Sequence, residues 1–350
     1  MLVDYANTRN ADDPADKRID LPVELKADLR NARRSDYDIV AFTHLDRDHV
    51  QGSSEFFWFD HAQEYQGEGR IKIRELWVPA GALTEVGTQD CARVIRQEAR
   101  HRMRKGYGIR VFSRPDALRD WFAHEEIEMS KRAHLITDAG TLVPGFSKWG
   151  DEGVEFFIHS PFGWRRDERI VEDRNQDSLV FQATLREGGR DTRILFTGDM
   201  EWEGLNDIVN ISRGHGNDER LEWDVMSIPH HCSYLSLSSE KGDDKTTPTS
   251  QIAWLYENAG QRGSLLISSS KIIPLPRTPE DRDPQPPHRQ AANYYRSVAS
   301  LHDGAFEVTM ERPAMKPRPT VVEITNRGAR LQPSALAPAA AVAATPMRAG

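Results

Sequence analysis

Between Asp38 and Gly52, four side chains able to bind a metal ion fall within six positions: His44, Asp46, Asp48 and His49. Residues 39–42, just before them, form a short apolar run, the pattern of a buried strand. In an extended chain alternate side chains point the same way, which sets His44, Asp46 and Asp48 on one side. His49 joins them if the chain turns into a helix there. Ionisable groups this close, packed against an apolar strand, repel one another or stay unsatisfied unless a positive charge sits between them. A divalent metal ion is the simplest such charge. A polar turn after a strand would explain any one of these residues alone, but two later stretches repeat the design. Residues 193–196 run into Thr197-Gly198-Asp199, and residues 225–228 run into Pro229-His230-His231-Cys232-Ser233. Three strands thus deliver His or Asp at their carboxyl ends, where open α/β architectures place their sites.

Taken together, these stretches resemble the metallo-β-lactamase superfamily, and most closely its competence-protein (ComEC-type) hydrolase branch. The superfamily motif is His-x-His-x-Asp-His; His44-Leu45-Asp46-Arg47-Asp48-His49 carries Asp at the second ligand, the form that branch shows, with Gly52 shortly after. The branch's Asn-x-x-Ser-Leu-Val is matched by residues 175–180, its Leu-x-Thr-Gly-Asp-x-Glu by residues 195–201, and its Pro/Gly-His-His-Gly-Ser by residues 229–233, with Cys232 in place of Gly. Three features depart from the pattern. The chain opens at Leu2-Val3-Asp4-Tyr5-Ala6, the counterpart of a Leu-Ile-Asp-x-Gly strand, without the strand that usually precedes it. Cys232 in place of Gly predicts a different loop geometry. After Leu266-Ile267-Ser268 the branch's Tyr-Gly-His-Pro is replaced by a long insertion ending in Pro286-Pro287-His288.

The resemblance implies an α/β fold, a metallo-β-lactamase-like αββα sandwich over residues 1–330 with its first amino-terminal strands missing. Residues 331–350, rich in Ala and Pro, read as a disordered tail. The resemblance also implies a two-metal hydrolase. His44 and Asp46 would hold one ion, Asp48 and His49 the other; Asp199 would bridge them, and His230 or His231 would complete a shell. Asp48, His230 and His231 are the candidate catalytic residues, the histidine left off the metal being placed to protonate a leaving oxygen, with Ser233 orienting it. A carboxylate at position 46 in place of imidazole hardens the site and shifts preference from zinc towards manganese or magnesium.

A chain of 350 residues, 38% hydrophobic and 29% charged, is long enough to bury a sizeable core. No run approaches the roughly 18 apolar residues of a membrane span, and no basic-then-apolar leader opens it, so a soluble, cytoplasmic chain is expected. Cys91 and Cys232 lie in unlike contexts and give no reason to expect a disulfide. A net charge of −8 is unlike a nucleic-acid binder, which is usually basic overall.

The elements that must position these residues follow from periodicity. Leu21, Leu25 and Leu29 make one apolar stripe of a helix over residues 21–34. The ligand strand spans 38–43 and a helix starts at Asp48, its positive end facing a metal-bound anion. The aromatic run 56–59 is core packing or a base-stacking surface, and His61 a surface residue. A strand over 71–78 precedes a long helix over 85–105. That helix carries Arg93, Arg96, Arg100, Arg102, Arg104 and Lys105, either a solvated face or a tract for phosphate contacts. Further elements are a strand at 109–112, a helix at 118–129 and a strand at 154–158 ending in His159, a site-lining or a structural residue. Strands 179–185 and 193–196 pair across Gly188-Gly189. A helix at 201–211 and a strand at 224–228 follow. Residues 236–250 read as a mobile polar loop beside the histidines. Helices at 252–260 and 288–301 and strands at 265–269, 306–309 and 320–325 complete the pattern.

Three functions fit. A nuclease or phosphodiesterase acting on DNA or RNA predicts a basic groove leading to the metals. A hydrolase of small phosphoesters, thioesters or lactones predicts a narrow pocket closed by residues 236–250. A non-catalytic metal-binding protein predicts a missing ligand.

Overall fold

The computed structural model describes residues 1–13, 16, 18–162, 174–311 and 318–332. Residues 333–350, nearly all of the expected tail, lie outside the described residues.

The first half of the chain alternates strand and helix. Strand β1 (Leu2–Val3) leads through helix α1 (Leu21–Asn31) to β2 (Asp36–Ala41), and the one-turn helices α2 (Arg47–Val50) and α3 (Ser53–Phe56) lead on to β3 (Lys72–Pro79). Helices α4 (Gly81–Thr84) and α5 (Asp90–Lys105) connect to β4 (Ile109–Phe112), and α6 (Asp116–His124) to β5 (Ile136–Thr137). The five strands form one sheet in sequence order, every pair parallel, as expected where helices make the crossovers. Asp20 opens α1, its carboxylate accepting from Val23 N, and Leu21, Leu25 and Leu29 face the core as their spacing predicts.

The second half forms a mixed six-stranded sheet. Strands β6 (Val154–Ser160), β7 (Val180–Glu187) and β8 (Arg190–Phe196) are antiparallel. Helix α7 (Trp202–Gly214) precedes β9 (Trp223–Ser227), α8 (Ser250–Glu257) precedes β10 (Gly260–Ser268), and α9 (Arg289–Leu301) precedes β11 (Ala305–Val308). Strands β8 to β11 run parallel, giving the order β11-β10-β9-β8-β7-β6. The β7–β8 turn places Gly188 at φ +55° and Gly189 at φ +87°, which only glycine adopts at little cost. Strands β12 (Val322–Thr325) and β13 (Gly328–Leu331) form a separate hairpin, so ordered strand continues through Leu331, just past the expected domain boundary.

Three apolar clusters hold these layers. Leu29, Ile95, Ala99, Met103 and Phe122 from the helices pack with Val40, Leu76 and Val111 of the first sheet. Leu205, Ile208, Leu255, Tyr295 and Val298 pack with Trp223, Met226 and Leu266 of the second. Between the sheets, Ile39, Trp77 and Phe112 meet Phe156, Ile158 and Phe181, with the Trp77 and Phe156 ring centroids 5.1 Å apart. Alternate residues of β2 therefore serve different cores, Ile39 and Ala41 one and Val40 the other, which is why its apolar run is continuous. Among the described residues no helix is long and apolar enough to cross a membrane.

The structure decides between several of the alternatives. Phe56, Phe57 and Phe59 are buried in the first core rather than offered to a base. The basic run on α5 is in part a solvated face, with Arg93, Arg104 and Lys105 exposed, and in part structural. Arg96 and Arg100 donate to the carbonyls of Glu85 and Leu83, which the short helix α4 leaves unpaired, while Arg102 and Arg104 pair with Glu98 and Glu125. His61 is held by the buried Glu98, ring Nδ1 to Oε2 at 2.9 Å, and is not a free surface residue. Cys91 and Cys232 are free and pack against different cores.

Candidate metal centre

Each strand predicted to deliver a ligand does so just beyond its carboxyl end. Strand β2 stops at Ala41, two residues earlier than expected, so the ligand residues leave extended geometry before they are reached. His44 lies in the loop. Asp46 precedes α2 in extended conformation, and Asp48 and His49 ride on that single turn, which is too short to present the helix amino terminus expected there. Asp199 follows β8 and His231 follows β9. Asp48, His49, Asp199 and His231 each offer a ligand atom within 4.8 Å of the others, a group able to hold a metal ion.

The chain's amino terminus fastens this loop. Asp4 N donates to Ala41 O, Tyr5 N to His49 O and Asn7 N to Gln51 O, at 2.8 to 3.0 Å. Gly52, at φ +79°, lets Asn7 lie alongside, since a Cβ there would meet Asn7 Cβ at 3.3 Å. The register puts the Asp4 carboxylate under the ligands, where Oδ1 accepts from Thr43 N (2.7 Å), and Oδ2 accepts from Thr43 Oγ1 (2.8 Å) and His49 Nδ1 (2.8 Å).

These contacts fix the tautomers. Because the Thr43 hydroxyl gives its single proton to Asp4, it accepts from His44 Nδ1 at 3.0 Å. His231 Nδ1 likewise donates to Ser269 O at 2.9 Å. With Nδ1 of His44, His49 and His231 all donating, each neutral ring turns an Nε2 lone pair inward. All three Nε2 atoms are buried without a hydrogen bond among the described residues. His49 Nε2 is 3.1 Å from Asp199 Oδ1, and His231 Nε2 is 3.3 Å from Asp48 Oδ2 and 3.4 Å from Asp199 Oδ2. These approaches lie off the line of a hydrogen bond, as when ligands converge on a point between them. Orphaned buried nitrogens are costly unless something accepts their lone pairs, and a divalent cation fits this donor set.

The electrostatics show the same demand for positive charge between the carboxylates, which the imidazoles themselves supply by protonation where no cation does so. Burial works against a charged His49, yet Asp199 and Asp4 raise its pKa well above the usual imidazole range. Burial likewise opposes charge on His231, and Asp48 and Asp199 raise it. Asp199, 5% exposed, stays ionised well below the usual range because these imidazoles outweigh its desolvation. Burial, with His49 beside it, pushes His44 down to about 4.

Not every candidate joins the group. His44 and Asp46 form a neighbouring pair, Nε2 to Oδ2 at 3.7 Å, and Asp46 Oδ1 is bound by Arg174 Nη1 at 2.6 Å. Of the two adjacent histidines, either of which the sequence offered as a ligand, His231 is drawn in, whereas His230 turns to Glu201, Nδ1 to Oε1 at 3.5 Å. The cause is local: His230, His231 and Cys232 take φ of +48°, +50° and +69°, so a left-handed turn separates the rings. Cys232 thus adopts the conformation glycine would take. Its side chain is wholly buried in the second core, and burial raises its thiol pKa far above the usual range. Ser233 caps the next turn, accepting from Leu235 N, and is not aimed at His230. His159 is a structural residue, its ring set between Arg220 O and Ser212 Oγ. His288 lies behind the 230–234 loop, where Nδ1 accepts from Tyr234 N.

The matched Asn-x-x-Ser segment also has a physical role. Leu179 N donates to Thr43 O at 2.8 Å and Ser178 Oγ accepts from Asp199 N at 3.3 Å, tying the ligand loops of the two sheets together. Gly198, at φ +52°, allows this, because a Cβ there would lie 2.9 Å from Ser178 Cβ.

The group opens into a cavity of about 730 Å³. Its walls are the amino-terminal segment, the loop after β10 and the chain after β11, and they carry Arg9, Arg18, Lys271 and Arg318. Arg9 and Arg18 have Asp20 and Asp16 as partners, neither of which is on the wall. Lys271 makes no ion pair among the described residues. The 236–250 segment, expected as a mobile lid, is instead bound to α9: Thr246 N donates to Gln290 O, Asn293 to Asp244 O, and Arg289 pairs with Asp244. It does not line the cavity.

No protein-family model matches this chain, and no curated protein matches it.

Proposed function

We propose that this chain is a metal-dependent hydrolase of phosphodiesters, a nuclease acting on DNA or RNA, on a metallo-β-lactamase-like αββα sandwich. The fold reading rests on two sheets packed face to face with helices outside each. The observation that carries the function is the cation-bearing cavity on the Asp48–His49–Asp199–His231 group. A divalent ion at such a site lowers the pKa of water towards neutrality and stabilises charge on a phosphoryl oxygen. Asp48, His49, Asp199 and His231 would hold that ion, with Asp4, Thr43 and Ser269 orienting the imidazoles. Lys271 and the wall arginines would bind phosphate oxygens on either side of the scissile bond. A net charge of −8 does not oppose this, because the cations stand where the substrate would lie. A small-substrate hydrolase closed by residues 236–250 is less well supported, since that segment faces elsewhere.

The test is hydrolysis of bis-p-nitrophenyl phosphate and of labelled single- and double-stranded DNA and RNA. Metal-stripped protein is resupplied with manganese, zinc or magnesium, with Asp199→Ala as control. Nucleic-acid cleavage that needs metal and vanishes in the variant supports the reading. Cleavage of the small diester alone transfers it to small phosphoesters, and metal binding without turnover on any substrate leaves a binding protein.

A further inference from the structure

We propose that Arg174 holds Asp46 away from a second metal ion, so that the chain binds one ion tightly at Asp48, His49, Asp199 and His231 and a second one weakly at His44 and Asp46. The proposal rests on the metal-hydrolase reading and revises its expectation of two equivalent ions.

The geometry is specific. The Arg174 guanidinium is gripped by Glu85, Nε lying 2.9 and 3.1 Å from the two carboxylate oxygens while Nη2 also contacts Oε1. A fork held this way has a fixed plane. Its remaining edge is thereby aimed at the ligand loop, with Nη1 at 2.6 Å from Asp46 Oδ1 and 3.3 Å from Leu45 O. Arg174 also begins the segment in which Ser178 and Leu179 bind Asp199 and Thr43, so the same stretch of chain sets the guanidinium and the ligand loops.

Two consequences follow. Asp46 already has a cation on one oxygen, and a divalent ion added at the other is repelled by that fixed charge. The second place is also short of ligands. His44 Nε2 and Asp46 Oδ2 approach each other, but neither belongs to the group whose ligand atoms converge.

The test is calorimetric titration of metal-stripped protein with manganese, with bound manganese counted by elemental analysis after dialysis. The wild type is expected to retain one equivalent and to show a second, weaker phase. Arg174→Gln is expected to tighten the second phase by about 10- to 100-fold, the range over which groups beside metal ligands tune affinity, and to leave the first unchanged. The unchanged first phase also reports that the variant is folded. Should that phase be lost, Glu85→Gln decides: it leaves the guanidinium charge unopposed and is expected to weaken the second ion further. Two equally tight ions in the wild type would overturn the proposal. So would a second phase that Arg174→Gln leaves unchanged or weakens, which would make Arg174 an orienter of a true ligand, or one that Glu85→Gln leaves unchanged or tightens. A wild type that binds no ion would overturn the metal-hydrolase reading as well.

Discussion

The carboxylate of Asp4 meets Nδ1 of His49 at 2.8 Å, across 45 residues of sequence, and so decides which nitrogen of that ring faces Asp199. Asp4 holds this position at φ +56°, a left-handed conformation that aspartate and asparagine tolerate better than most residues. Asp4→Asn therefore keeps the backbone and an acceptor for Nδ1 but removes the negative charge behind the ring and turns an amide NH2 towards Thr43 N. Metal affinity measured by calorimetry is expected to fall about 10- to 100-fold, the usual effect of losing such a partner. An affinity equal to wild type would show that the charge is irrelevant.

Asp199 stands between two imidazoles, 3.1 Å from His49 and 3.4 Å from His231. A ligand that binds only the folded state adds stability as the logarithm of its concentration, about 2.7 kcal/mol at one hundred times its Kd. Wild-type protein is expected to melt at higher temperature as manganese is added. Asp199→Asn is expected to show no such rise, and a variant whose melting temperature climbs like the wild type would place the metal elsewhere.

Lys271 lies two residues after Ser269, whose carbonyl orients His231, and lines the cavity without an ion pair among the described residues. If it contacts a backbone phosphate, Lys271→Ala loses one counterion-release contact. The slope of log affinity against log salt for single-stranded DNA is then expected to become shallower by about 0.7. Binding is followed by fluorescence anisotropy in chelator, where no cleavage occurs. A weaker affinity with an unaltered slope would mean that the lysine shapes the wall and does not touch the strand.

The sequence made legible whatever depends on local pattern. The run before His44, the run before Asp199 and the run before His231 are strands β2, β8 and β9, and their following residues meet. The glycine pair of the β7–β8 turn was readable for the same reason. What depends on contacts far along the chain was not. Nothing about Leu2-Val3-Asp4 indicates that its acid will lie beneath His49, and nothing about Arg174 indicates Asp46. The choice of His231 over His230 turns on consecutive left-handed residues, where strand alternation has no meaning. The arginines of α5 looked like a charged face because the free carbonyls of α4 that absorb two of them are visible only once both helices are packed.

His159 supplies a pH dependence independent of the metal. It is 2% exposed, with Nε2 donating to Arg220 O at 2.9 Å and Nδ1 positioned to accept from Ser212 Oγ at 3.3 Å, a pattern only the neutral ring completes. Burial, helped by the Arg220 charge, holds its pKa down to about 4, against about 6.5 in the unfolded chain. Since the folded value is the lower one, the unfolded state takes up the proton first. The stability from this residue is complete above about pH 7 and is lost as pH falls through 6.5 towards 4, about 2 kcal/mol of it between pH 7 and 5. His159→Gln removes the titration. In urea melts the variant is expected to be the less stable protein at pH 7, and its deficit is expected to shrink by about that amount at pH 5. A deficit that stays constant over the interval would mean that His159 takes up its proton in the fold as readily as in the unfolded chain, and that its contacts with Arg220 and Ser212 accommodate the charge.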